Sequence, residues 1–264
     1  MSRPVSMEGR TRGERGSKLS TCVVIPALNE ETTIADVARG ALLFSDAVIV
    51  VDDGSTDRTA ELARQAGAHV IRHPRNAGQW SALRTGFREA LRRGFDIVIT
   101  MDADGQHDPI DIPRLLEPIL EGRADLVIGS RLRGRSVTMI PYRYAGIKFF
   151  SKLLSTFMRM NLTDVTSGFR AYRSWLLKAL VKLMRERQYG ILEATIIAWR
   201  LGARIEEKPI KFVPRRTSKK GNIRFFLNLV RVLLRALMAH LRSSSRLKAI
   251  TYGLVFRPRS SQEG

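Results

Sequence analysis

Apolar positions fall along this chain in two alternating rhythms. Short, nearly continuous apolar runs rich in β-branched residues occur at Thr21–Pro26, Ala47–Val51, Ala68–Arg72, Asp96–Met101 and Asp125–Gly129. Runs of that length and character predict strands buried on both faces. The segments between them carry helical spacing: Glu31–Leu43, Asp57–Ala66, Gln79–Arg93 and Asp111–Glu121. Ser55 or Thr56 is the expected N-cap of the second helix. Strands alternating with helices predict an α/β domain with a mainly parallel central sheet and helices on both faces. Ligands of such sheets bind beyond the strands' carboxyl ends.

The rhythm changes after Gly129. Tyr144–Met160 reads as a basic, apolar helix, and Thr163–Tyr172 as a polar stretch with a Ser-Gly turn. Ser174–Arg187 and Ile191–Leu201 have helical patterns, Arg204–Val213 a strand pattern, and Arg215–Gly221 forms a basic loop before one long helix, Asn222–Arg242. Residues 1–18, basic and Gly/Ser-rich, read as a flexible tail. The expected organisation is that tail, a folded domain over 19–214, and a C-terminal segment, 215–264, of basic loop, amphipathic helix and tail.

Composition narrows the function classes. The 264 residues are 44% hydrophobic and 27% charged, enough to bury a core. A single cysteine, Cys22, excludes an internal disulfide framework and a cysteine-cluster metal site. No secretory signal is predicted, and no uncharged apolar run approaches the roughly 18 residues of a membrane span. The formal charge is +20, unevenly placed. Residues 1–130 carry 16 Lys/Arg against 19 Asp/Glu, whereas 131–264 carry 29 against 6. Such asymmetry points to a polyanionic partner for the C-terminal half. With aromatics at 7%, mostly within apolar stripes, nucleic acid is not expected.

Polar motifs stand where the expected strands end. Pro26-Ala27-Leu28-Asn29-Glu30 follows the first, and Asp52-Asp53-Gly54-Ser55-Thr56-Asp57 the second. Adjacent carboxylates at a buried strand's end are costly unless solvated or used, and a carboxylate there can accept from a nucleobase or a ribose. Glycine-rich phosphate loops are absent from the sequence, which argues against an ATPase or an ordinary dinucleotide-binding domain. Asp102-Ala103-Asp104-Gly105-Gln106-His107 follows the fourth strand. On an extended chain Asp102 and Asp104 would point to one side, converging on a hard divalent cation with Gln106 as a possible third ligand. Oxygen ligands of this kind suit Mg²⁺ or Mn²⁺, which would neutralise a departing diphosphate. One D-x-D is a weak signal; three acidic motifs at three strand ends are much more specific.

Together these motifs resemble glycosyltransferase family 2 and its GT-A fold, most closely the dolichyl- and polyprenyl-phosphate hexosyltransferases. The resemblance rests on Pro26-x-x-Asn29-Glu30, Val51-Asp52-Asp53-Gly54-Ser55-x-Asp57, Asn76-x-Gly78, Asp102-Ala103-Asp104-Gly105-Gln106-His107-x-Pro109, Gly129-Ser130-Arg131 and Asp164-x-x-Ser167-Gly168-Phe169-Arg170. It implies that Pro26, Leu28, Asn29 and Glu30 line a nucleotide pocket, with Asp52 and Asp53 at base and ribose. Asp102 and Ala103 would lie near ribose and diphosphate, with Asp104 and Gln106 on the metal and Arg131 facing the phosphates. Asp164, Ser167 and Arg170 would border sugar and acceptor phosphate, and Glu193 an acidic acceptor-side position. His107 reads as structural rather than as a base. The family's R-x-x-G-x-S-K loop is altered to Arg215-Arg216-Thr217-Ser218-Lys219-Lys220-Gly221, with Arg215, Lys219 and Lys220 as phosphate-binding candidates.

Basic amphipathic helices suggest where the acceptor lies. Arg224, Arg231, Arg235 and Arg242 share a face of the last helix, and Lys148, Lys152 and Arg159 sit beside Phe149, Phe150, Leu153 and Leu154. Helices of this kind lie in a membrane interface and favour anionic lipids. A phosphate monoester is largely anionic near pH 7, with a second pKa of about 6, and attacks without a strong base. A sugar hydroxyl would need a carboxylate to take its proton. The expected activity is therefore inverting, metal-dependent transfer of a hexose from a nucleotide-diphosphate sugar to dolichyl or polyprenyl phosphate at the cytoplasmic membrane face. GDP-mannose is the favoured donor, and a membrane-anchoring partner protein is possible. The alternatives are a UDP-sugar donor (glucose or N-acetylglucosamine) with a lipid-phosphate or glycan-hydroxyl acceptor, and a non-catalytic basic binding protein of the same fold.

Overall fold

The apolar runs become strands because both of their faces are covered. A computed structural model describes residues 19–134, 141–184, 190–213, 230, 231 and 234. The strands are β1 (Thr21–Ala27), β2 (Ala47–Asp52), β3 (His69–Arg72), β4 (Ile97–Thr100), β5 (Leu126–Ser130), β6 (Arg170–Arg173) and β7 (Ile205–Pro209). They form one sheet in the order β3-β2-β1-β4-β6-β5-β7. Every β1 residue is buried. Alternate side chains feed opposite cores: Cys22 and Val24 one, Val23, Ile25 and Ala27 the other. The helices are α1 (Ile34–Leu42), α2 (Thr59–Gln65), α3 (Gln79–Arg92), α4 (Ile112–Leu120), α5 (Pro141–Met158), α6 (Ser174–Leu183) and α7 (Ile191–Arg200). Residues of α3, α5, α6 and α7 join the first core, and those of α1, α2 and α4 the second.

Each helix is set by the spacing of its apolar residues. Ile34, Val37, Ala38 and Ala41 are the buried positions of α1, three and four apart. Trp80, Leu83, Phe87 and Ala90 do the same for α3. Burying one such large side chain contributes about 1.5–3 kcal/mol. In α5, Ile147, Phe150, Leu154 and Met158 face the core, while Phe149 and Leu153 stay 50% and 41% exposed.

Several boundaries move, each for a local reason. The helix expected from Asp57 begins at Thr59, with neither Ser55 nor Thr56 as its cap. Asp57 Oδ1 instead accepts from the Thr59 amide at 2.9 Å, and Ser55 Oγ accepts from the Asn29 amide. The polar stretch after Thr163 contains a strand that the pattern concealed. β6 runs antiparallel between β4 and β5, with Thr100 and Ile128 both opposite Arg170. The remaining pairings are parallel. The D-x-D segment is not extended: β4 ends at Thr100 and a turn forms at Ala103–Asp104, so strand alternation does not govern where those two carboxylates point.

β1 leads outward through β2 to β3, and the chain then returns through α3 to place β4 on the other side of β1. That reversal between β1 and β4 opens a crevice at their carboxyl ends.

Candidate active site

Four loops meet over this crevice, and short hydrogen bonds fix them. After β1, Asn29 takes a left-handed backbone (φ 53°), and its Oδ1 accepts from the Thr56 amide at 2.9 Å. The Glu30 amide donates to Thr59 Oγ1 at 2.8 Å, and Thr33 Oγ1 donates to the Ala103 carbonyl at 2.8 Å. The first loop is thus tied both to the Asp52–Asp57 motif and to the D-x-D turn. Pro26 and Ala103 are buried, and Leu28 is 37% exposed at the rim.

The adjacent acids Asp52 and Asp53 have different fates. Asp53 is 3% exposed. Its Oδ1 meets His73 Nδ1 at 2.7 Å and accepts from the Ala77 amide, while Oδ2 accepts from the Gly78 amide at 2.8 Å. It therefore binds the protein's own 73–78 loop rather than the ribose expected from the resemblance. Asp52 Oδ1 accepts from the Ser55 amide, but its buried Oδ2 has no aligned hydrogen-bond donor although Arg72 Nε lies 3.0 Å away. Beside it, a cleft of about 430 Å³ is lined by Gly54, Ser55, Thr56, Arg72, His73 and Pro74. Gly54 (φ +83°) is required here, because a Cβ would stand 2.7 Å from the Arg75 backbone.

Asp102 follows β4, with its side chain 35% exposed. Desolvation on its protein side raises its carboxyl pKa; the Arg131 charge and a 2.9 Å hydrogen bond from Gln79 Nε2 oppose the rise. Gly168 presses against it, so that a Cβ there would stand 3.1 Å from Asp102 Oδ2. Asp104 Oδ1 accepts from the Gln106 amide at 3.1 Å. Among the described residues no three His, Cys, Asp or Glu side chains cluster for a metal. The set Asp102, Asp104 and Gln106 nonetheless suits a hard cation that takes its other ligands from phosphate and water, since Asp102 is a desolvated carboxylate open on one side. His107 is 4% exposed and stacks on Phe169 at 5.0 Å. Burial, then the Arg131 charge, pushes its pKa down to about 4, leaving a neutral structural ring.

The opposite wall is a closed network. Asp164 is wholly buried and accepts from Arg131 Nε at 2.7 Å and a second guanidinium nitrogen at 2.8 Å, as well as from the Arg131 amide and Thr166. Burial alone would raise its carboxyl pKa; the Arg131 charge and hydrogen bonds overcome this and hold it below the usual range. Arg131, 16% exposed, lies over the Phe212 ring, and its remaining terminal nitrogen takes no part in these bonds. Glu207 accepts from the Thr163 and Asp164 amides at 2.8 Å.

Arg170 departs from its expected place at the acceptor phosphate. It is 0% exposed, and its donors go to the Ser167, Val165 and Ile191 carbonyls and Thr195 Oγ1. It pins the turn to α7 from inside. Ser167 is buried beside it, and Glu193 stands half-buried in the first turn of α7. Arg215, Lys219 and Lys220, with the tail 1–18 and most of the expected last helix, lie outside the described residues. Sequence reasoning missed Arg72, His73 and Glu207. The first two follow the same strand-end rule as the acidic motifs. Glu207 is an acid inside a strand, a position that calls for a partner.

Residues 22–181 match the sequence pattern of Glycosyl transferase family 2. The chain is 39% identical over 204 residues to the undecaprenyl-phosphate mannosyltransferase of Micrococcus luteus, covering 73% of this chain and 83% of that protein. It is 33% identical over 215 residues to the UDP-N-acetylglucosamine–dolichyl-phosphate N-acetylglucosaminyltransferase of Methanococcus voltae, covering 72% and 84%. Glucosyl-3-phosphoglycerate synthase of Mycobacterium tuberculosis, solved with Mn²⁺ and UDP-glucose, superposes with a TM-score of 0.66 at 26% identity, covering 83% of this chain and 79% of that one. The chain is a glycosyltransferase of GT-A-like fold and belongs to glycosyl transferase family 2.

Proposed function

We propose that this protein transfers a hexose, mannose first among the candidates, from a nucleotide-diphosphate sugar to the phosphate of a polyprenol such as dolichol. The observation that carries this reading is the ion pair of Asp164 with Arg131. An acceptor hydroxyl needs a base near the anomeric carbon. The carboxylate expected at that position is buried and held ionised by an arginine, so its affinity for a proton is low. A phosphate acceptor brings its own negative charge and needs no such base. Two relatives, from M. luteus and M. voltae, carry polyprenyl- or dolichyl-phosphate in their names and support the acceptor.

In this reading the donor's base enters the cleft beside Asp52, whose unaligned Oδ2 accepts from a base N–H. Pro26, Leu28, Asn29 and Glu30 wall the nucleotide, and Asp53 holds the 73–78 loop beneath it. Asp102, Asp104 and Gln106 would hold Mn²⁺ or Mg²⁺, which supplies charge neutralisation for the leaving diphosphate. The uncommitted nitrogen of Arg131 faces the phosphates. The acceptor oxygen forms a bond to the anomeric carbon as the bond to the diphosphate breaks, inverting the configuration. Glu193 stands at the acceptor side.

No helix among the described residues is long and apolar enough to cross a membrane. The outer face of α5 instead shows Phe149 and Leu153 beside the exposed Lys148 and Lys152, a pattern that suits peripheral docking to an anionic membrane surface at its cytoplasmic face, with or without an anchoring partner.

The test supplies the purified protein with dolichyl phosphate and, separately, labelled GDP-mannose, UDP-glucose and UDP-N-acetylglucosamine. Each is run with Mn²⁺, Mg²⁺ or a chelator. Metal-dependent movement of label into the organic phase with one donor is expected, and the donor that works names the sugar. Label transferred to soluble glycans and not to lipid would overturn the reading and favour Glu193 as a base.

A further inference from the structure

A second cavity, away from the Asp102 turn, is built from cations and neutral polar groups. It measures about 620 Å³ and is lined by Arg75, Asn76, Ser81, Arg84, Thr85 and Arg88. Ser81, Arg84, Thr85 and Arg88 recur three and four residues apart, so one face of α3 supplies them. Arg75 and Asn76 come from the loop that follows the edge strand β3. No carboxylate lines the cavity.

Many other described arginines pair with acids: Arg72 with Asp52, Arg114 with Asp111, Arg123 with Glu121, Arg131 with Asp164, and Arg204 with Asp125. Arg75, Arg84 and Arg88 enter no ion pair or side-chain hydrogen bond among the described residues. Glu89, the one acid on α3, is already engaged by Arg92 and Arg93. The Nε of Arg84 is buried with no hydrogen-bond partner. A buried, unpaired guanidinium donor is costly, and three cations around one space repel each other. A bound anion would relieve both. Guanidinium forks match the oxygens of phosphate, and Ser81, Thr85 and Asn76 can donate to others.

We propose that this cavity is a second anion site that binds a phosphate-bearing ligand independently of the metal motif. Among the described residues it adjoins the donor pocket through the 73–78 loop and through α3, whose first residue, Gln79, bonds Asp102. Thr85 Oγ1 lies 2.9 Å from His73 Nε2, and His73 in turn holds Asp53. The ligand is a soluble phosphate ester or the phosphate of a lipid headgroup, and the experiment separates the two.

Equilibrium dialysis of labelled inorganic phosphate against the full chain, in excess chelator, is the direct test. One phosphate per chain is expected, undisturbed by Asp104→Ala and by saturating UDP or GDP. Arg84→Gln and Arg88→Gln should each weaken it by at least about tenfold, the scale of one charge-assisted hydrogen bond. Arg88 is exposed, so its variant keeps the fold, and the thermal midpoint checks Arg84→Gln. Sedimentation with phosphatidylglycerol against phosphatidylcholine vesicles is the second arm. Anionic-vesicle binding that is lost in both variants supports the site and assigns it to a headgroup. Phosphate binding with vesicle binding unaffected by the variants supports it with a soluble ester. Phosphate binding abolished by Asp104→Ala, or untouched by both arginine variants, overturns the proposal. So does a failure of phosphate to bind together with vesicle binding that survives both substitutions.

Discussion

Asp102 and Asp164 both feel the charge of Arg131, and the protein treats them oppositely. Asp102 keeps a third of its side chain open and has a raised carboxyl pKa. Asp164 is closed to solvent, paired with Arg131, and has a lowered one. A carboxylate that the protein desolvates without fully pairing is positioned for something it binds. A carboxylate whose acceptors are filled from within fixes geometry. Asp52 and Asp53 differ more narrowly: both are buried, but Asp52 keeps one oxygen beside Arg72 to which no donor is aligned, whereas Asp53 is filled by His73 and two amides. The comparison divides the acids into ligand-facing and framework groups, and substitutions can break that division.

The largest effect should come from the open side. Asp102→Asn is expected to reduce organic-phase transfer of label at least about a thousandfold, about 4 kcal/mol of transition-state stabilisation. Its urea unfolding midpoint should stay close to that of the wild type, since no ion pair is lost. A large drop in stability instead would place Asp102 with the framework acids.

Arg131→Met probes the closed side. Removing one partner of a buried ion pair strands the other charge, which costs about 3–5 kcal/mol. The lower end, about 3 kcal/mol, is expected here because Arg131 retains 16% exposure. The double variant Arg131→Met/Asp164→Leu should recover most of the loss in urea unfolding, since an apolar pair replaces an ionic one. Failure to recover would show that Asp164 contributes more than its pairing. Gly168→Ala should have a smaller effect, about tenfold in activity. The added Cβ would press on Asp102 at 3.1 Å, a distance closed by a small shift of the carboxylate.

Much of this division was hidden in the sequence, and the reasons are physical. β1, β2, β4 and β5 were legible because both of their faces are buried, so the apolar run is uninterrupted. β6 was not, since Arg170 and Arg173 bracket only two apolar residues and Arg170 is buried by bonding backbone carbonyls. The strand-end rule located the site but could not rank neighbouring acids. Whether Asp52 or Asp53 meets a ligand depends on where His73 and the Gly78 amide fall, 20 and 25 residues away. The Arg131–Asp164 pair spans 33 residues and joins two motifs that the resemblance had treated as separate ligand contacts.

The subtlest test of the division is acid titration of the closed pair. The folded pKa of Asp164 lies below its unfolded value. Its stabilising contribution is therefore fully present above the unfolded carboxylate pKa, about 3.9, and is lost as pH falls through the lower folded value. In Arg131→Met the guanidinium's charge and hydrogen bonds are gone and only the residue-131 amide and Thr166 still oppose burial, so the folded pKa rises above the unfolded one. The ionised carboxylate then destabilises at neutral pH, and this penalty fades as acid protonates it. The stability gap between wild type and Arg131→Met should thus be widest near pH 7 and narrow steadily toward pH 3, whatever the other carboxylates contribute to both proteins. Urea denaturation of the two proteins at matched ionic strength across that range measures the gap. A gap independent of pH would mean that Arg131 stabilises by packing on Phe212 and not by its charge, and Asp164 would then leave the framework class.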